Sequence, residues 1–155
     1  MGELRIRLAQ RDDLTELVGL CRAHADFDSA GDGPIAELPA DLADRLAAQL
    51  FGSAPRLWCL VAHREDGLLG YASYCWHPST WRGDDYIQMD CLFVAGNARG
   101  RSVGARLFAA GARRAAELGA TRLQWQTPSW NSAAQRFYDR TGASSHAKHR
   151  YTLAL

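Results

Sequence analysis

The chain has 155 residues, 47% of them hydrophobic and 23% charged, with a formal net charge of +1. That is the size and composition of one soluble globular domain, long enough to bury a core without disulfide or metal staples. Charge this near zero gives no footing for a nucleic-acid or anionic-membrane partner. No apolar run approaches the roughly 20 residues of a membrane span. The opening MGELRIRLAQRDD carries no signal or transit pattern, and Ile6 stands where a myristoylation motif needs Ser or Thr. Cys21, Cys59, Cys75 and Cys91 are widely separated in apolar stretches and read as buried free thiols of a cytoplasmic protein. His146 and His149 lack partner ligands at metal spacing, so no metal is expected.

Leu4, Ile6 and Leu8 alternate with Arg5 and Arg7, the pattern of a half-buried strand. Asp13 and Glu16 have the spacing of a capping box, and Leu14, Leu17, Val18 and Cys21 predict a helix to about His24. Residues 26–39 are acidic and punctuated by Gly and Pro, which predicts a loop. A second helix is expected from about Pro39, with Leu42, Leu46 and Leu50 as its stripe. LWCLVAH (57–63) and LLGYASYCWH (68–77) flank the Asp66-Gly67 turn as a hairpin. YIQMDCLFV (86–94) is a further strand. Val103, Leu107, Gly111, Ala115 and Leu118 mark one face of a strong helix that stops at Gly119. TRLQWQT (121–127) alternates as a strand, and 131–142 reads as a short helix with Asn131 as N-cap. HRYTLAL (149–155) predicts a closing strand. The order β-α-α-β-β-β-α-β-α-β implies a mixed α/β sheet covered on both faces, in a single domain over 1–155.

The segment from Val94 to Gly104 carries chemistry. A strand gives way to a small-residue loop and then a helix start. The first turn of a helix leaves N–H groups without partners at the positive end of its dipole, which suits a pyrophosphate. Arg99 and Arg101 add cations. The competing reading is an ordinary tight turn with solvated arginines. No G-K-[ST] or G-x-G-x-x-G pattern is present.

Leu92-Phe93-Val94 followed by Arg99-Gly100-Arg101-Ser102-Val103-Gly104 resembles the coenzyme-A motif [QR]-x-x-G-x-[GA] of the GNAT N-acetyltransferase superfamily. Ser102 stands where that family usually has Gly, and Gly96 where it often has Pro. Ser102 is harmless if its φ is negative and strained if it is positive. A second match follows: Asn131, Ala134, Phe137, Tyr138 and Gly142 resemble N-x-x-A-x-x-F-Y-x-x-x-G. Trp81-Arg82-Gly83, Asp90-Cys91-Leu92-Phe93-Val94 and Trp130-Asn131 are most similar to diamine/polyamine (spermidine/spermine-like) small-amine acetyltransferases. Polyamine enzymes carry two adjacent acids where this chain has Asp90 and Cys91. The resemblance implies a mostly antiparallel central sheet flanked by about four helices, acetyl-CoA as co-substrate, and a homodimer.

It also implies roles. Asp90 is the candidate base, because an amine of pKa about 10.4 must lose a proton before it attacks. A structural Asp bonded to backbone is the rival reading. A backbone N–H near Phe93 or Val94 faces the oxyanion. Tyr138 donates to the departing thiolate; helix aromatics packing on a sheet are the rival reading for it and for Phe137. No covalent enzyme intermediate is needed, so Cys91 is not assigned as a nucleophile. Acceptor choice is expected from Asp26, Phe27, Trp76, Trp81 and Gln126, with Asp28, Asp32 and Glu37 nearby, since acids beside aromatics suit a cationic amine. A solvated acidic loop over core aromatics is the alternative. The sequence therefore points to acetyl transfer to the primary amine of a small molecule, by direct attack in a ternary complex, with a protein- or peptide-amine acetyltransferase and a non-catalytic acyl-CoA-binding regulatory module as the alternatives. Arg106, Arg113 and Arg114 make no continuous basic face, which leaves a nucleic-acid role without support.

Overall fold

Residues 2–31 and 37–155 are described in a computed structural model of the chain. Five strands form one sheet in the order β1 (Arg5–Leu8), β2 (Trp58–Arg64), β3 (Gly67–Ser79), β4 (Asp84–Val94) and β5 (Leu123–Gln124). The first four are antiparallel, and β5 joins β4 in parallel. Helices α1 (Leu14–Ala30) and α2 (Leu42–Phe51) cover one face, α3 (Val103–Glu117) covers the other, and α4 (Ser132–Asp139) follows β5. The mixed α/β, mostly antiparallel sheet with four helices agrees with the sequence.

Burial explains why the central strands read as apolar runs rather than alternations. On β2, Cys59 and Val61 enter the α1–α2 core while Leu60 and Ala62 enter the α3 core. A strand covered on both sides needs apolar residues throughout. Val103, Leu107, Ala110, Gly111 and Ala115 form the buried face of α3. Gly111 brings that helix close to the sheet, since a Cβ there would fall on the Tyr74 hydroxyl.

Four expectations need correction. Helix α1 does not stop near His24 but runs to Ala30, so Asp26, Phe27 and Asp28 are helical rather than in a loop. Leu17, Cys21, His24 and Phe27 continue a spacing of three to four, and the acidic residues between them hid it. Asp32 lies outside the described residues, and Glu37 is exposed. Asp13 is not the N-cap of a box with Glu16. It accepts the Gln10 N–H at 2.7 Å and two Arg7 bonds at 2.6 and 2.9 Å, while Glu16 accepts the Leu68 N–H at 2.7 Å. The strand expected over 121–127 shrinks to Leu123–Gln124.

The closing strand over 149–155 is absent, so the observed order ends on α4. Tyr151, Leu153 and Leu155 alternate as predicted but are 91%, 83% and 115% exposed. Alternation yields a strand only where a neighbour offers its N–H and C=O groups, and among the described residues none pairs with the segment.

Candidate active site

The site is organised by one extra residue in β4. Ser73 pairs with Cys91, but Tyr74 pairs with Met89, which leaves Asp90 as the odd residue of a β-bulge. The bulge reverses which way the strand faces. Ile87 and Met89 lie in the α3 core, whereas Cys91 and Phe93, of the same parity, lie on the α1–α2 side. Asp90 itself is exposed. Beside the bulge the sheet also parts. Pairing between β4 and β5 ends at Gln88 and Gln124, and β4 continues through Met89–Val94 without a β5 partner. Leu92 and Val94 face the α3 side of this opening, and Phe93 the other.

At the α3 side of the opening lies the turn singled out by sequence. Gly100 has φ +73 and Ser102 has φ +60 and ψ 12. Ser102 is thus a left-handed L-residue, and its hydroxyl does not cap α3. The condition under which the serine is strained is therefore met. Ser102→Gly is expected to raise unfolding stability by about 1 kcal/mol, read as a higher Tm in a thermal melt. Gly104 is instructive in a different way: a Cβ there would meet only Val94, at an ordinary 3.6 Å. The protein's own packing does not require glycine at 104. A bare backbone beside uncapped first-turn N–H groups fits a pyrophosphate, so these residues suit the diphosphate of coenzyme A. Arg101 is exposed at this turn. Arg99 points elsewhere: its Nε donates to the Val94 carbonyl at 3.0 Å, and its guanidinium lies 4.4 Å from the Phe27 ring centre.

Helix α4 is set by Asn131, whose side-chain oxygen accepts the Ala134 N–H at 3.1 Å. That cap fixes the helix that carries Phe137 and Tyr138. Tyr138 packs against the α3-side core, 5.2 Å from Trp125 and 6.1 Å from Phe108 between ring centres. Phe137 meets Phe108 edge-on at 6.2 Å. Burial, with a smaller contribution from Cys91, pushes the Tyr138 phenol up to about 12. It therefore stays protonated at neutral pH, with a proton available to donate.

On the opposite side of β4, a cavity of about 330 Å³ opens between α1, α2 and the sheet. Its walls are apolar, with Leu42, Leu46 and Leu50 from α2. His24, Asp28, Tyr71, Ser73 and Asp90 supply its polar groups. Cys91 also lines it, but burial pushes that thiol up to about 12, so it is no thiolate nucleophile. Of the acceptor residues named from sequence, Asp28 reaches this cavity. Asp26, Phe27, Trp76, Trp81 and Gln126 do not line it. Phe27 packs under Arg99 and beside Trp130, Trp81 is 99% exposed, and Gln126 accepts a bond from Arg150 at 2.6 Å. His24 and Tyr71 were missed. The signal for His24 was its place four residues before Asp28, visible once α1 is continued past residue 24.

The model of the acetyltransferase (GNAT) family matches residues 24–143. The chain belongs to the GNAT family. It is thus an N-acetyltransferase enzyme that uses acetyl-CoA as co-substrate and acts on amines. The bovine (Bos taurus) thialysine N-epsilon-acetyltransferase is 28% identical over 152 residues, which span 92% of this chain and 85% of that enzyme. A D-amino-acid N-acetyltransferase of Saccharomyces cerevisiae is 31% identical over 103 residues, spanning 65% of this chain and 64% of that one. An integron cassette protein from the mobile metagenome of V. cholerae superposes with a TM-score of 0.75 at 28% identity, covering 97% of this chain and 92% of that one. The matched span of this GNAT enzyme begins at His24 and includes the bulge, the α3 turn and Tyr138. Among the described residues no group of His, Cys, Asp or Glu could hold a metal, and no helix is long and apolar enough to cross a membrane.

Proposed function

We propose that residues 1–155 act as one acetyltransferase domain that moves an acetyl group to the primary amine of a small molecule, by direct attack while both substrates are bound. One observation carries the reading: the cavity and the α3 turn lie on opposite sides of β4, and the strand is bulged and free of β5 between them. Two substrates entering from the two sides meet at Asp90–Val94. Holding them in line is itself a large part of such catalysis. Acetyl-CoA supplies the thioester. Leu92, Phe93 and Val94 line its slot, and Arg99, Gly100, Arg101, Ser102, Val103 and Gly104 form the turn around its diphosphate, with Asn131 and Phe137 behind. A free N–H of β4 near Phe93 or Val94 receives the carbonyl oxygen as it becomes anionic. Tyr138 donates to the departing sulfur. Asp90 attracts the ammonium to the bulge.

The leucine walls favour a small amine on an apolar body over a polyamine, whose several charges need more than the two acids present here. Relatives that act on thialysine and on D-amino acids support a small acceptor. Free thiol release from acetyl-CoA, followed across a panel of alkylamines, amino acids, polyamines, aminoglycosides and peptides, tests this. Release with small apolar amines is expected. Release with peptides alone would move the reading to a protein acceptor, and tight binding without any release to a regulatory module.

The exposed alternation of Tyr151, Leu153 and Leu155 also supports a homodimer, because a strand-forming apolar tail is more stable against a second copy than in water. Light scattering is expected to give twice the chain mass, and removal of residues 149–155 to give a monomer. Four free cysteines suit a reducing, cytoplasmic setting.

A further inference from the structure

His24 is held as a fixed base would be. Its Nδ1 lies 2.9 Å from the Tyr71 hydroxyl, and its ring stacks on Phe93 at 4.9 Å with 18° between planes. Its Nε2 lies 3.8 Å from the Asp28 carboxylate, too far for a hydrogen bond but close enough for charge to be felt. His24, Asp28, Tyr71 and Asp90 all line the same cavity. With Nδ1–H donated to the Tyr71 oxygen, the Nε2 lone pair stays uncommitted. Tyr71 is itself deeply buried and remains a phenol.

We propose that His24 accepts the proton of the acceptor amine at Nε2, with Asp28 stabilising the imidazolium and Tyr71 fixing the ring. The proposal rests on the acetyltransferase reading above and assigns the base to α1 rather than to β4. The step balances: the ammonium N–H bond breaks, its electron pair stays on nitrogen as the attacking lone pair, and the proton passes to Nε2 and then to water. Asp90, exposed on the bulge, keeps the role of attracting the cation. The groups that face His24 are Cys21 and Asp28 from α1, Tyr71 from β3, Asp90 and Cys91 from β4, and Arg99 beyond it. Burial lowers the imidazole below its ordinary value, Arg99 adds to this, and Asp28 and Asp90 oppose it. The ring is thus neutral, and able to accept, at pH 7.

The test is the pH dependence of kcat for wild type, His24→Gln and Asp28→Asn with the best small amine, alongside calorimetry with acetyl-CoA. Wild type is expected to lose rate only below about pH 6.5, the ordinary histidine value. His24→Gln is expected to fall about 100-fold at pH 7. It should regain rate only as pH climbs toward the amine's own pKa, while its acetyl-CoA Kd stays within about twofold. Asp28→Asn removes a charge that favours the imidazolium, so its acid limb should move to lower pH. A His24→Gln enzyme with the wild-type rate and limb overturns the proposal and returns the base role to Asp90. Should that variant not fold, an unmoved limb in Asp28→Asn overturns it instead. Absence of thiol release by wild type with every amine overturns the acetyltransferase reading, and this proposal with it. Normal turnover by wild type keeps the two failures apart.

Discussion

Tyr138→Phe is expected to lower kcat about 100-fold at pH 7 and to leave acetyl-CoA affinity within about twofold. The ring's packing against Trp125, Phe108 and Phe137 uses no hydroxyl, so phenylalanine preserves it. The loss therefore isolates the donor. Burial pushes this phenol up to about 12, against about 8.5 for an ordinary thiol. Complete proton transfer to the leaving thiolate is uphill by about 5 kcal/mol on those values. On the proposed mechanism the hydroxyl would thus work chiefly by hydrogen-bonding the sulfur as negative charge builds, with full transfer late. Steady-state kinetics with calorimetry decides the matter: an unchanged kcat would remove Tyr138 from the chemistry, and lost affinity would make it a binding residue only.

The second large effect is expected from Gly104→Asp. An acidic residue in the first turn of a helix is favourable to the helix, by about 0.3–1 kcal/mol. A Cβ at 104 also meets no side chain closer than Val94, at 3.6 Å. The variant should therefore melt no lower than wild type. With the diphosphate at the proposed turn, its carboxylate would nonetheless repel the phosphates, and acetyl-CoA affinity is expected to fall about 100-fold, or about 2.7 kcal/mol. Opposite signs for stability and affinity separate a ligand-driven glycine from a fold-driven one. Equal affinity in wild type and variant would place the diphosphate away from this turn.

Most of the scaffold was legible because its signals are local. Asn131 capping α4 and Gly119 past α3 are each decided by a few neighbouring residues, and both stand in the structure; the hairpin expected around Asp66-Gly67 stands too, with Glu65 and Asp66 as its turn and Gly67 opening β3 opposite Arg64. The turn before α3 was legible for the same reason. The cavity was not, because its walls come from segments far apart in sequence: His24 on α1, Leu46 on α2, Tyr71 on β3 and Asp90 on β4. Charge misled at 26–28, where acidic residues on a helix resembled a loop. Alternation misled at 149–155, where a strand-like pattern finds no pairing partner among the described residues. Ser102 was readable as a choice between two conformations, and only the backbone angle could make it.

The bulge at Asp90 gives substitution and deletion opposite meanings at one position. Replacing its exposed side chain changes the charge at the mouth of the cavity and nothing in the ladder. Removing the residue would put Cys91 into step with Met89 and make the ladder continuous. Since β3 already pairs Ser73 with Cys91, Ala72 with Leu92 and Tyr71 with Phe93, every later side chain of β4 would keep its face and both cores their contents. What would go is the local bend and added twist of the bulged strand, at the place where β4 parts from β5. The extra residue therefore serves the opening of the sheet rather than the filling of either core, and its deletion should cost the site more than the fold.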